Sequence, residues 1–425
     1  MRTVAFHTLG CKVNQYDSQA MLELFEQAGY ELRHFDEPAD VYVINTCTVT
    51  GTGDKKSLQA VRRALRQNPA AQIVIAGCLA QRDGEKLLET GARLVIGNAR
   101  RGEVVQLLEE AVEKGQQVAA VGDILRAPYE PLCVSRQEGH TRAVLKIQEG
   151  CDRYCAYCII PYVRGGIRSR APEAVRQEAE RLAQAGFAEL VLTGIHLTSY
   201  GRDLGGVSLL DAIRACAVPG VLRIRLGSLE PVIITPEFVS GLKDTPVCPQ
   251  FHLALQSGCD GVLRRMRRRY NTAEFRQACA LLRQAFPGCA ITTDVICGFP
   301  GETEQEFEET MAFCREIGFA RMHVFPYSAR QGTPAAAMSG QVPKALREER
   351  ARRLIAVGVE LSRAYRQAQV GQTVQVLAEE CLDGLAHGYT AQYISCLFSG
   401  GTPGEMARVR VTGLTDDGLT GEKKE

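Results

Sequence analysis

Short apolar runs alternate with helical patterns in two successive series, and this alternation restricts the possible folds more than any other feature of the chain. In the first series, apolar residues recur at the three- and four-residue spacing of a buried helix face. The apolar runs are residues 4–9, 41–45, 73–76 and 94–96, and the helical segments are residues 19–28, 57–67 and 103–114. Strands that alternate with helices form parallel sheets. We therefore expect a doubly wound α/β domain over residues 1–125.

The second series begins at Val144 and contains strand candidates that are each followed by a helical pattern. The strand candidates are residues 144–148, 189–193, 223–226, 251–255, 291–297 and 322–327, and examples of the helices are residues 173–185, 272–285 and 304–317. This series predicts a partial parallel (βα)6 barrel, similar to part of a TIM barrel, with its site at the C-terminal strand ends. We place this domain at residues 141–367, including a long arginine-rich helix at 344–367.

The two remaining segments have different patterns. Residues 126–140 contain Pro128, Pro131 and Gly139, and we expect them to form a linker. From Gly371 onward, runs of period two are separated by glycine, aspartate and proline. The runs are residues 373–378, 389–394 and 407–411. They predict a small all-β barrel over residues 368–425.

Composition and the lengths of the apolar runs indicate the cellular compartment of the protein. The apolar run at residues 4–9 is too short for the core of a secretory signal, and no run approaches the length of a membrane span. We therefore expect a cytoplasmic protein without a membrane partner. Cytosolic thiols are kept reduced, so the 16 cysteines favour metal ligation, catalysis or core packing over disulfides. The formal net charge of +1 neither indicates nor excludes a nucleic-acid partner.

Three cysteines, Cys151, Cys155 and Cys158, follow the first strand of the predicted barrel. At this spacing they can bind three irons of a [4Fe–4S] cube and leave the fourth iron open. A structural zinc site requires four closed ligands and fits three cysteines poorly, although zinc or simple packing remains an alternative. An open iron can be chelated by the amino and carboxylate groups of S-adenosylmethionine (SAM), which brings the sulfonium to the cluster. The motif closely resembles that of the radical SAM superfamily.

A second group, Cys11, Cys47 and Cys78, is dispersed in sequence, but each member directly follows an apolar run. In an open parallel sheet, ligands bind beyond the carboxyl ends of the strands. The three cysteines can therefore converge and offer a second three-thiol cluster site. Each one taken alone is more often a buried small residue.

Several strings extend the resemblance over essentially the whole chain to the methylthiotransferase family of radical SAM enzymes. In the two α/β domains they are residues 8–15, 45–47, 77–78, 164–170, 226–231, 252–258, 298–303 and 325–328. Residues 388–393 resemble the small RNA-binding β-barrel called TRAM. Ser228, Gly258 and Cys259 depart slightly from the commonest family strings.

The resemblance implies two [4Fe–4S] clusters with different tasks. Cys11, Cys47 and Cys78 hold an auxiliary cluster that carries the sulfur, which a first SAM methylates. A second SAM is cleaved at the cluster of Cys151, Cys155 and Cys158 to generate the radical, and the methylthio group is then transferred. In the family members that modify tRNA, the methylthio group is added at C2 of an adenine. The hydrogen on this carbon is too weakly acidic for a side-chain base to remove, whereas a radical can abstract it. An electron donor similar to flavodoxin or ferredoxin is required.

Other residues at predicted strand ends are candidates for the SAM pocket. They are Tyr157, Glu230, Gln256, Gly298 and Gly301. Tyr157 resembles the family aromatic near the SAM adenine, and Glu230 could alternatively stabilise a helix N-terminus. His196 follows the second barrel strand, but a lone histidine is more often structural, and we assign it no role.

Two groups of residues are candidates for RNA contacts. Five arginines could contact phosphates, although a solvated helix face is an equal alternative. They are Arg264, Arg265, Arg267, Arg268 and Arg269. In the C-terminal barrel, which is acidic as a whole, Tyr389, Tyr393 and Arg408 could bind RNA by stacking and point contacts.

The substrate follows from resemblance alone. Residues 9–15 are most similar to the branch that modifies N6-threonylcarbamoyladenosine at position 37 of tRNA, next to the anticodon. Sister branches act on isopentenyladenosine in tRNA or on an aspartate of a ribosomal protein. A non-catalytic iron–sulfur protein, such as an electron carrier or an RNA-binding redox sensor, is the alternative from another class. An electron carrier is expected to close its irons with four cysteines, whereas each group here has three.

Overall fold

The N-terminal part of the chain folds around a parallel sheet. The computed structural model describes residues 2–135 and 141–424. Within residues 3–120 the strands are β1 (Thr3–Thr8), β2 (Glu31–Arg33), β3 (Val41–Thr46), β4 (Gln72–Gly77), β5 (Leu94–Ile96) and β6 (Val118–Ala120). The helices are α1 (Lys12–Gln27), α2 (Gly51–Gln67), α3 (Cys78–Asp83) and α4 (Val104–Glu113). The strands pair in parallel in the order β2-β1-β3-β4-β5-β6.

Helices cover both faces of this sheet. All residues of the inner strand β3 are buried, as expected when neither face of a sheet is open to water. Successive side chains of a strand point to opposite faces, so Tyr42 and Ile44 join one apolar cluster while Val41 and Val43 join the other. The doubly wound α/β fold predicted for this region is confirmed.

The structure differs from the prediction mainly at short or uncapped elements. The edge strands β2 and β6 were not predicted. They are as short as β5, but only one of their six residues is buried, whereas all three residues of β5 are buried and form an apolar run. Helix α1 begins at Lys12 rather than at residue 19, and no side chain caps its first turn at Cys11. The sequence therefore contains no capping signal that would mark this helix start.

Seven strands and nine helices make up residues 142–367. The strands are β7 (Arg142–Glu149), β8 (Arg168–Ser169), β9 (Glu189–Gly194), β10 (Arg223–Leu226), β11 (Gln250–His252), β12 (Ala290–Cys297) and β13 (Arg321–Pro326). The helices are α5 (Ile160–Arg164), α6 (Pro172–Gln184), α7 (Leu209–Cys216), α8 (Pro236–Lys243), α9 (Asp260–Arg265), α10 (Thr272–Ala285), α11 (Glu304–Ile317), α12 (Pro334–Ala337) and α13 (Lys344–Gln367).

Six of these strands form the predicted partial barrel. Strands β7, β9 and β10 pair in parallel, as do β11, β12 and β13. Single bridges from Ile224 to Val247 and from Leu229 to Leu253 join the two sets. The short strand β8 adds to β7 in the antiparallel direction. The major apolar core lies between this curved sheet and its outer helices, so the strand ends remain available for a site.

The C-terminal region is a closed barrel within residues 373–423. Its strands are β14 (Thr373–Leu382), β15 (Leu385–Thr390), β16 (Ser395–Ser399), β17 (Met406–Leu414) and β18 (Leu419–Lys423), in the order β14-β15-β16-β18-β17. The predicted small β-barrel is confirmed, but the predicted strand at residues 389–394 is wrong. Its second half is a turn in which Tyr393 has a φ of 64° and donates its amide proton to the Thr390 carbonyl.

The described part of the predicted linker packs against the N-terminal domain. Leu132 and Val134 are buried beside Tyr16 and Ala20 of α1, and the Tyr16 hydroxyl donates to the Leu132 carbonyl oxygen at 2.9 Å. Residues 136–140 of the predicted linker lie outside the described residues.

Across residues 2–135 and 141–424, no helix has the length and apolar character needed to cross a membrane.

Candidate active site

Close backbone packing fixes the loop after β7 that carries the clustered cysteines. Gly150, directly before Cys151, has a φ of 74°. A Cβ atom at Gly150 would lie 1.7 Å from the Gly166 carbonyl oxygen, so only glycine permits this approach. The Cys151 amide also donates to the Gly165 carbonyl oxygen at 2.9 Å. The glycines at 165 and 166 therefore support the cysteine loop directly.

The thiols of Cys151, Cys155 and Cys158 lie close together in this loop and are all free. Burial raises the pKa of Cys151 to about 11, and the neighbouring Cys155 thiol adds to this shift. Burial raises the pKa of Cys158 to about 12, with further contributions from Cys155 and Cys151. Because metal ligation requires thiolates, binding of a metal group here must release protons.

Glu230 occupies the centre of a buried polar pocket beside this loop. Arg153 and Arg268 each form an ion pair with its carboxylate at 2.8 Å. Arg268 also donates to the Cys155 sulfur at 3.1 Å. The Nε2 atom of His196 lies 3.3 Å from the Glu230 carboxylate. The pocket thus includes Arg153 and His196, and we had assigned no role to His196. The role of Arg153 could have been predicted, because this residue lies inside the cysteine run.

Two buried polar atoms in the pocket have no partner of hydrogen-bond geometry among the described residues. They are Oδ1 of Asp152 and Nε of Arg153. Buried polar atoms are normally satisfied, so unpaired ones at one place point to an additional polar group. The amino and carboxylate groups of SAM offer both donors and acceptors, and the pocket therefore fits that cofactor.

The charge of Glu230 predicts a pH-dependent contribution to stability. Burial raises its pKa, but the hydrogen bond from His196 and the charges of Arg268 and Arg153 lower it to about 2. A carboxylate with a lowered pKa stabilises the fold above its unfolded value of about 4.3 and loses this contribution as pH falls towards 2. We expect Glu230→Gln to lower the free energy of unfolding by about 3 kcal/mol at pH 7, measured by urea denaturation.

The same measurement at lower pH is the test of this assignment. The difference between wild type and Glu230→Gln should shrink as pH falls from about 4.3 to about 2. Glu89 is exposed, so Glu89→Gln is the matched control and should show no such trend. A difference that stays constant over this range would mean that the ionised carboxylate does not stabilise the pocket.

Tyr157 brings two of the predicted SAM-binding segments together. It packs on an apolar cluster that includes Ala156 of the cysteine loop and Phe299 of the turn at residues 298–302. The Ala156 amide donates to the Met266 carbonyl oxygen at 2.9 Å, which ties the loop to the segment after α9. The turn after β12 therefore lies directly against the loop that carries the three cysteines.

The other predicted SAM-pocket residues have clear conformational roles. Gly298 and Gly301 have φ values of 71° and 73°. A Cβ atom at Gly298 would lie 2.2 Å from Cγ of Arg347, and the Gly301 amide donates to the Gly340 carbonyl oxygen. Gln256 also has a positive φ, 67°, which is uncommon for a residue with a Cβ and is frequent near functional sites. Their contacts with SAM stay predictions.

The second cysteine group lies at one edge of the N-terminal sheet. Cys11 follows β1, Cys47 follows β3 and Cys78 begins α3 after β4. These three strands are neighbours in the sheet, so their carboxyl ends lie side by side. A Cβ atom at Gly10 would lie 2.9 Å from Cβ and 3.1 Å from Sγ of Cys47. The glycine before Cys11 therefore makes room for the second cysteine.

Electrostatic interactions also place these three thiols near one another. Burial raises the pKa of Cys47 to about 11, and Cys78 and Cys11 add to the shift. Burial also raises the pKa of Cys11, although the Arg164 guanidinium opposes the shift. Cys47 thus lies within electrostatic range of Cys11 and Cys78, as expected from the strand ends, and their ligation of one cluster stays a prediction.

Arg164 connects the two cysteine groups. It follows the first cysteine loop, and its fully buried side chain donates from Nε to the Cys78 sulfur at 3.2 Å. The same guanidinium pairs with Asp17 at 2.9 Å and with Glu149 at 3.0 Å. Glu149 is two residues before Cys151, so one side chain contacts structure at both groups. No sequence pattern indicated this role, because Arg164 was only part of a family string.

Arg164 belongs to a buried ion network at the interface of the two α/β domains. Asp17 also pairs with Arg101 and Lys146, and Arg101 lies 3.3 Å from Glu149. All five charged side chains are nearly inaccessible to water. Arg101 also pairs with Glu130 at 2.8 Å, so three cations face three carboxylates. Removing Arg164 therefore leaves an uncompensated buried charge, which is strongly destabilising.

We expect Arg164→Gln to lower the free energy of unfolding by about 3–5 kcal/mol, measured by urea denaturation. The matched control is Arg176→Gln, because Arg176 forms an exposed pair with Glu180 at 3.7 Å. An exposed pair of this kind contributes only about 0–1 kcal/mol. Equal losses in the two variants would contradict the assignment of Arg164 as the link between the domains.

Each of the two cysteine groups offers three free thiols. Among residues 2–135 and 141–424, no three His, Cys, Asp or Glu side chains converge tightly enough to hold one metal ion. In a [4Fe–4S] cluster each thiolate binds a different iron, so the sulfurs need not surround one centre. Three free thiols at each place fit a cube that keeps one iron open.

Cys11 opens into a cavity of about 600 Å³ that all three domains enclose. The N-terminal domain contributes Cys11 and Lys12, the partial barrel contributes residues such as Ser228 and His252, and the C-terminal barrel contributes Tyr393. Cys11 is accessible to water and lines this cavity. A second cavity, of about 770 Å³, lies between α9, α10 and α11 and contains none of the six cysteines.

The basic run at residues 264–269 does not form one surface patch. Its exposed members are Arg264, Arg267 and Arg269. Arg265 forms an ion pair with Glu306 at 2.7 Å. Arg268 is only 7% exposed and points to the polar pocket instead. The structure therefore corrects the prediction for Arg268, whereas the others remain candidates for phosphate contacts.

The predicted aromatic RNA contacts lie at a domain interface. Tyr389 and Tyr393 stack on each other with ring centroids 4.8 Å apart. Arg142 lies over both rings, and Arg225 lies 4.5 Å from the Tyr393 centroid. These guanidinium contacts occupy ring faces that base stacking needs. The structure corrects the prediction of an open stacking face, and Arg408 alone is exposed.

Known proteins match this chain over both α/β domains. The model of the uncharacterized protein family UPF0004 matches residues 3–97, and the model of the Radical SAM superfamily matches residues 145–314. Threonylcarbamoyladenosine tRNA methylthiotransferase MtaB of Bacillus subtilis is 44% identical over 423 residues, which are 97% of this chain and 94% of that protein. A tRNA-2-methylthio-N(6)-dimethylallyladenosine synthase of Parafrankia sp. is 39% identical over 89% of this chain and 78% of its own.

A solved structure supports the fold independently. The radical S-adenosylmethionine methyltransferase TsrM of Kitasatospora setae aligns with a TM-score of 0.59 and covers 79% of this chain and 77% of its own. At 15% sequence identity this likeness concerns the fold alone. The family follows from the Bacillus subtilis relative, which matches nearly the whole chain. This protein belongs to the radical SAM methylthiotransferase family.

Proposed function

We propose that the protein is a sulfur-group transferase that adds a methylthio group to C2 of N6-threonylcarbamoyladenosine at tRNA position 37. The observation that carries this proposal is the Arg164–Cys78 contact, which joins the two cysteine groups across one interface. A reaction that needs a radical generator and a sulfur donor together requires such proximity. The name of the Bacillus subtilis relative supports the choice of threonylcarbamoyladenosine.

Two [4Fe–4S] clusters and two SAM molecules per turnover form part of the proposal. Cys151, Cys155 and Cys158 would hold one cluster, and Cys11, Cys47 and Cys78 would hold the auxiliary cluster. When bound, these groups supply a 5′-deoxyadenosyl radical and a methylated sulfur, respectively.

The protein side chains orient these groups and exclude water. Arg268 donates to the Cys155 sulfur, and Arg164 donates to the Cys78 sulfur, so each group receives one buried cationic donor. Charge-assisted donors of this kind stabilise thiolates and fix their orientation. Asp152 and Arg153 each leave one buried polar atom unpaired beside Glu230, where the zwitterionic end of SAM would bind.

The partners and the setting follow from this reaction. We propose tRNA and SAM as substrates, a flavodoxin-like or ferredoxin-like electron donor, and the cytoplasm as the place of action. We assign residues 1–125 to the auxiliary-cluster domain, 126–140 to a linker, 141–367 to the radical SAM domain and 368–425 to a TRAM domain. Arg264, Arg265, Arg267, Arg269 and Arg408 are the proposed phosphate contacts.

Mass spectrometry of tRNA nucleosides from cells lacking the protein tests this function. We expect loss of 2-methylthio-N6-threonylcarbamoyladenosine and accumulation of its precursor without the methylthio group. Expression of the wild-type chain should restore the modification, whereas expression of Cys155→Ala should not. If the level of 2-methylthio-N6-threonylcarbamoyladenosine is unchanged and 2-methylthio-isopentenyladenosine is lost, the protein acts on the other tRNA substrate. Unchanged tRNA would contradict both assignments and favour a ribosomal-protein substrate.

A further inference from the structure

The cavity beside Cys11 carries an uneven distribution of charge. Its cationic lining residues are Lys12, Arg225, Arg321 and Arg366, and its acidic ones are Asp416 and Asp417. Both aspartates are exposed. They also belong to the C-terminal barrel, whereas Lys12 lies next to Cys11 in the N-terminal domain.

Two of the cations are already neutralised or fully bonded. Arg225 pairs with Glu189 at 2.8 Å, and Arg366 donates to the backbone carbonyl oxygens of Thr415 and Asp416. The side chains of Lys12 and Arg321, in contrast, form no hydrogen bond or ion pair with any residue in the ranges 2–135 and 141–424. The cavity therefore has two free cationic groups and no carboxylate bound to either of them.

In the proposed substrate, the reacting atom C2 and the substituent on N6 lie close together, and this relates the substituent to the cations of the cavity. In adenine, N1 lies between C2 and C6, and C6 carries N6, so N6 and its substituent lie on the same edge of the base as C2. A base that presents C2 to the sulfur held by the Cys11 group therefore directs its N6 substituent into the surroundings of Cys11. Lys12 directly follows Cys11 and lines the cavity there.

The two tRNA substrates named for the relatives differ at this substituent. A threonylcarbamoyl group ends in a carboxylate and carries a hydroxyl, whereas a dimethylallyl group is a hydrocarbon. A cation that loses water when the cavity fills requires a charged partner, and an apolar substituent cannot supply one. Sites built for a polar group reject an analogue that lacks it more strongly than apolar pockets reject a polar analogue.

We propose that Lys12, supported by Arg321, binds the carboxylate of the N6-threonylcarbamoyl group in this cavity and so determines specificity for that base. This inference rests on the proposed function, and it adds the binding subsite and the residue that selects the substrate. Arg321 lies at the start of β13, across the cavity from the N-terminal domain, so the two cations belong to different domains.

Binding of anticodon stem-loop RNAs to the full-length reconstituted protein tests the proposal. Three RNAs differ only at position 37, which carries threonylcarbamoyladenosine, its methyl ester or dimethylallyladenosine. We expect wild-type protein to bind the free acid about tenfold more tightly than the ester, as loss of one charge-assisted hydrogen bond predicts. Lys12→Gln should weaken binding of the acid about tenfold and leave binding of the ester unchanged.

Two further variants separate this role from general charge and from folding. Lys12→Arg should keep the preference for the acid, because it retains a cation at the same position. Lys86→Gln removes the same charge from an exposed position of the same domain, and it should change no affinity. Iron content of Lys12→Gln should equal that of wild type, and a lower content would overturn the proposal by assigning Lys12 to cluster assembly.

The failure of this inference can be told apart from failure of the proposed function. If wild-type protein methylthiolates the acid RNA but Lys12→Gln still prefers the acid over the ester, the carboxylate subsite is wrong and the function stands. If wild-type protein modifies only the dimethylallyl RNA, the proposed substrate is wrong and the subsite fails with it. Equal binding of acid and ester by wild type also overturns the subsite.

Discussion

Replacement of Cys155 by alanine should abolish reductive cleavage of SAM, with 5′-deoxyadenosine formation reduced by about a thousandfold or more. Loss of an outer-shell partner of a metal site already lowers activity by about 10–100-fold, and removal of a ligand has the larger effect. Cys155 is buried and accepts a hydrogen bond from Arg268 at 3.1 Å, so no neighbouring thiol can simply take its place. The measurement is chromatographic quantification of 5′-deoxyadenosine after chemical reduction.

Cys381→Ala is the matched control for this prediction. Cys381 is exposed on β14 of the C-terminal barrel and lies in neither cysteine group. Its replacement should leave SAM cleavage at the wild-type rate. Formation of 5′-deoxyadenosine by Cys155→Ala at a rate near that of wild type would refute the assignment of this loop to the radical-generating cluster.

Replacement of Cys47 should separate the two halves of the reaction. Cys47 belongs to the group at the edge of the N-terminal sheet, whereas the polar pocket around Glu230 is built from the partial barrel. We therefore expect Cys47→Ala to form 5′-deoxyadenosine at a rate within about twofold of wild type, because the polar pocket around Glu230 is unchanged. Formation of methylthiolated RNA should fall below detection, since the sulfur site loses one of three ligands.

The separation itself is the diagnostic result. Methylthiolated product from Cys47→Ala would exclude an auxiliary cluster at this group. Loss of SAM cleavage in Cys47→Ala, together with normal folding, would mean that the two sites are not functionally distinct. Cys11→Ala should reproduce the Cys47→Ala pattern, because both thiols lie at the ends of adjacent strands.

The main elements of the fold were predictable because their signals are local and periodic. Helices α10, α11 and α13 have the predicted bounds, and α10 and α11 begin with capping boxes at Asn271 and Thr303. The six strands of the partial barrel were found because buried parallel strands form continuous apolar runs. The short strands β2 and β6 carry no comparable signal.

The cysteine groups differ in how far the sequence could identify them. Cys151, Cys155 and Cys158 are close in sequence, so their spacing alone restricts the chemistry. Cys11 and Cys47 are brought together only by the order of strands in the sheet, and no local pattern encodes that order. Their convergence was a hypothesis from strand ends, and the structure places them side by side.

Buried charges and contacts between domains could not be predicted from local sequence patterns. Arg268 lies in a run of five arginines of which Arg264, Arg267 and Arg269 are exposed, and the sequence shows no difference between them. Tyr389 and Tyr393 look like exposed barrel aromatics until Arg142 and Arg225 of another domain are placed on their rings. Such contacts depend on how the domains pack against one another, and this packing cannot be predicted from the periodicity of apolar residues.

Iron and sulfide content after anaerobic reconstitution is the most direct measurement of the two cysteine sites. Two [4Fe–4S] clusters predict about eight irons and about eight sulfides per chain in wild type. A triple alanine variant of Cys11, Cys47 and Cys78 should retain about four irons, and so should the triple variant of Cys151, Cys155 and Cys158. A wild-type content of about four irons that the first triple variant does not change would contradict the presence of a second cluster.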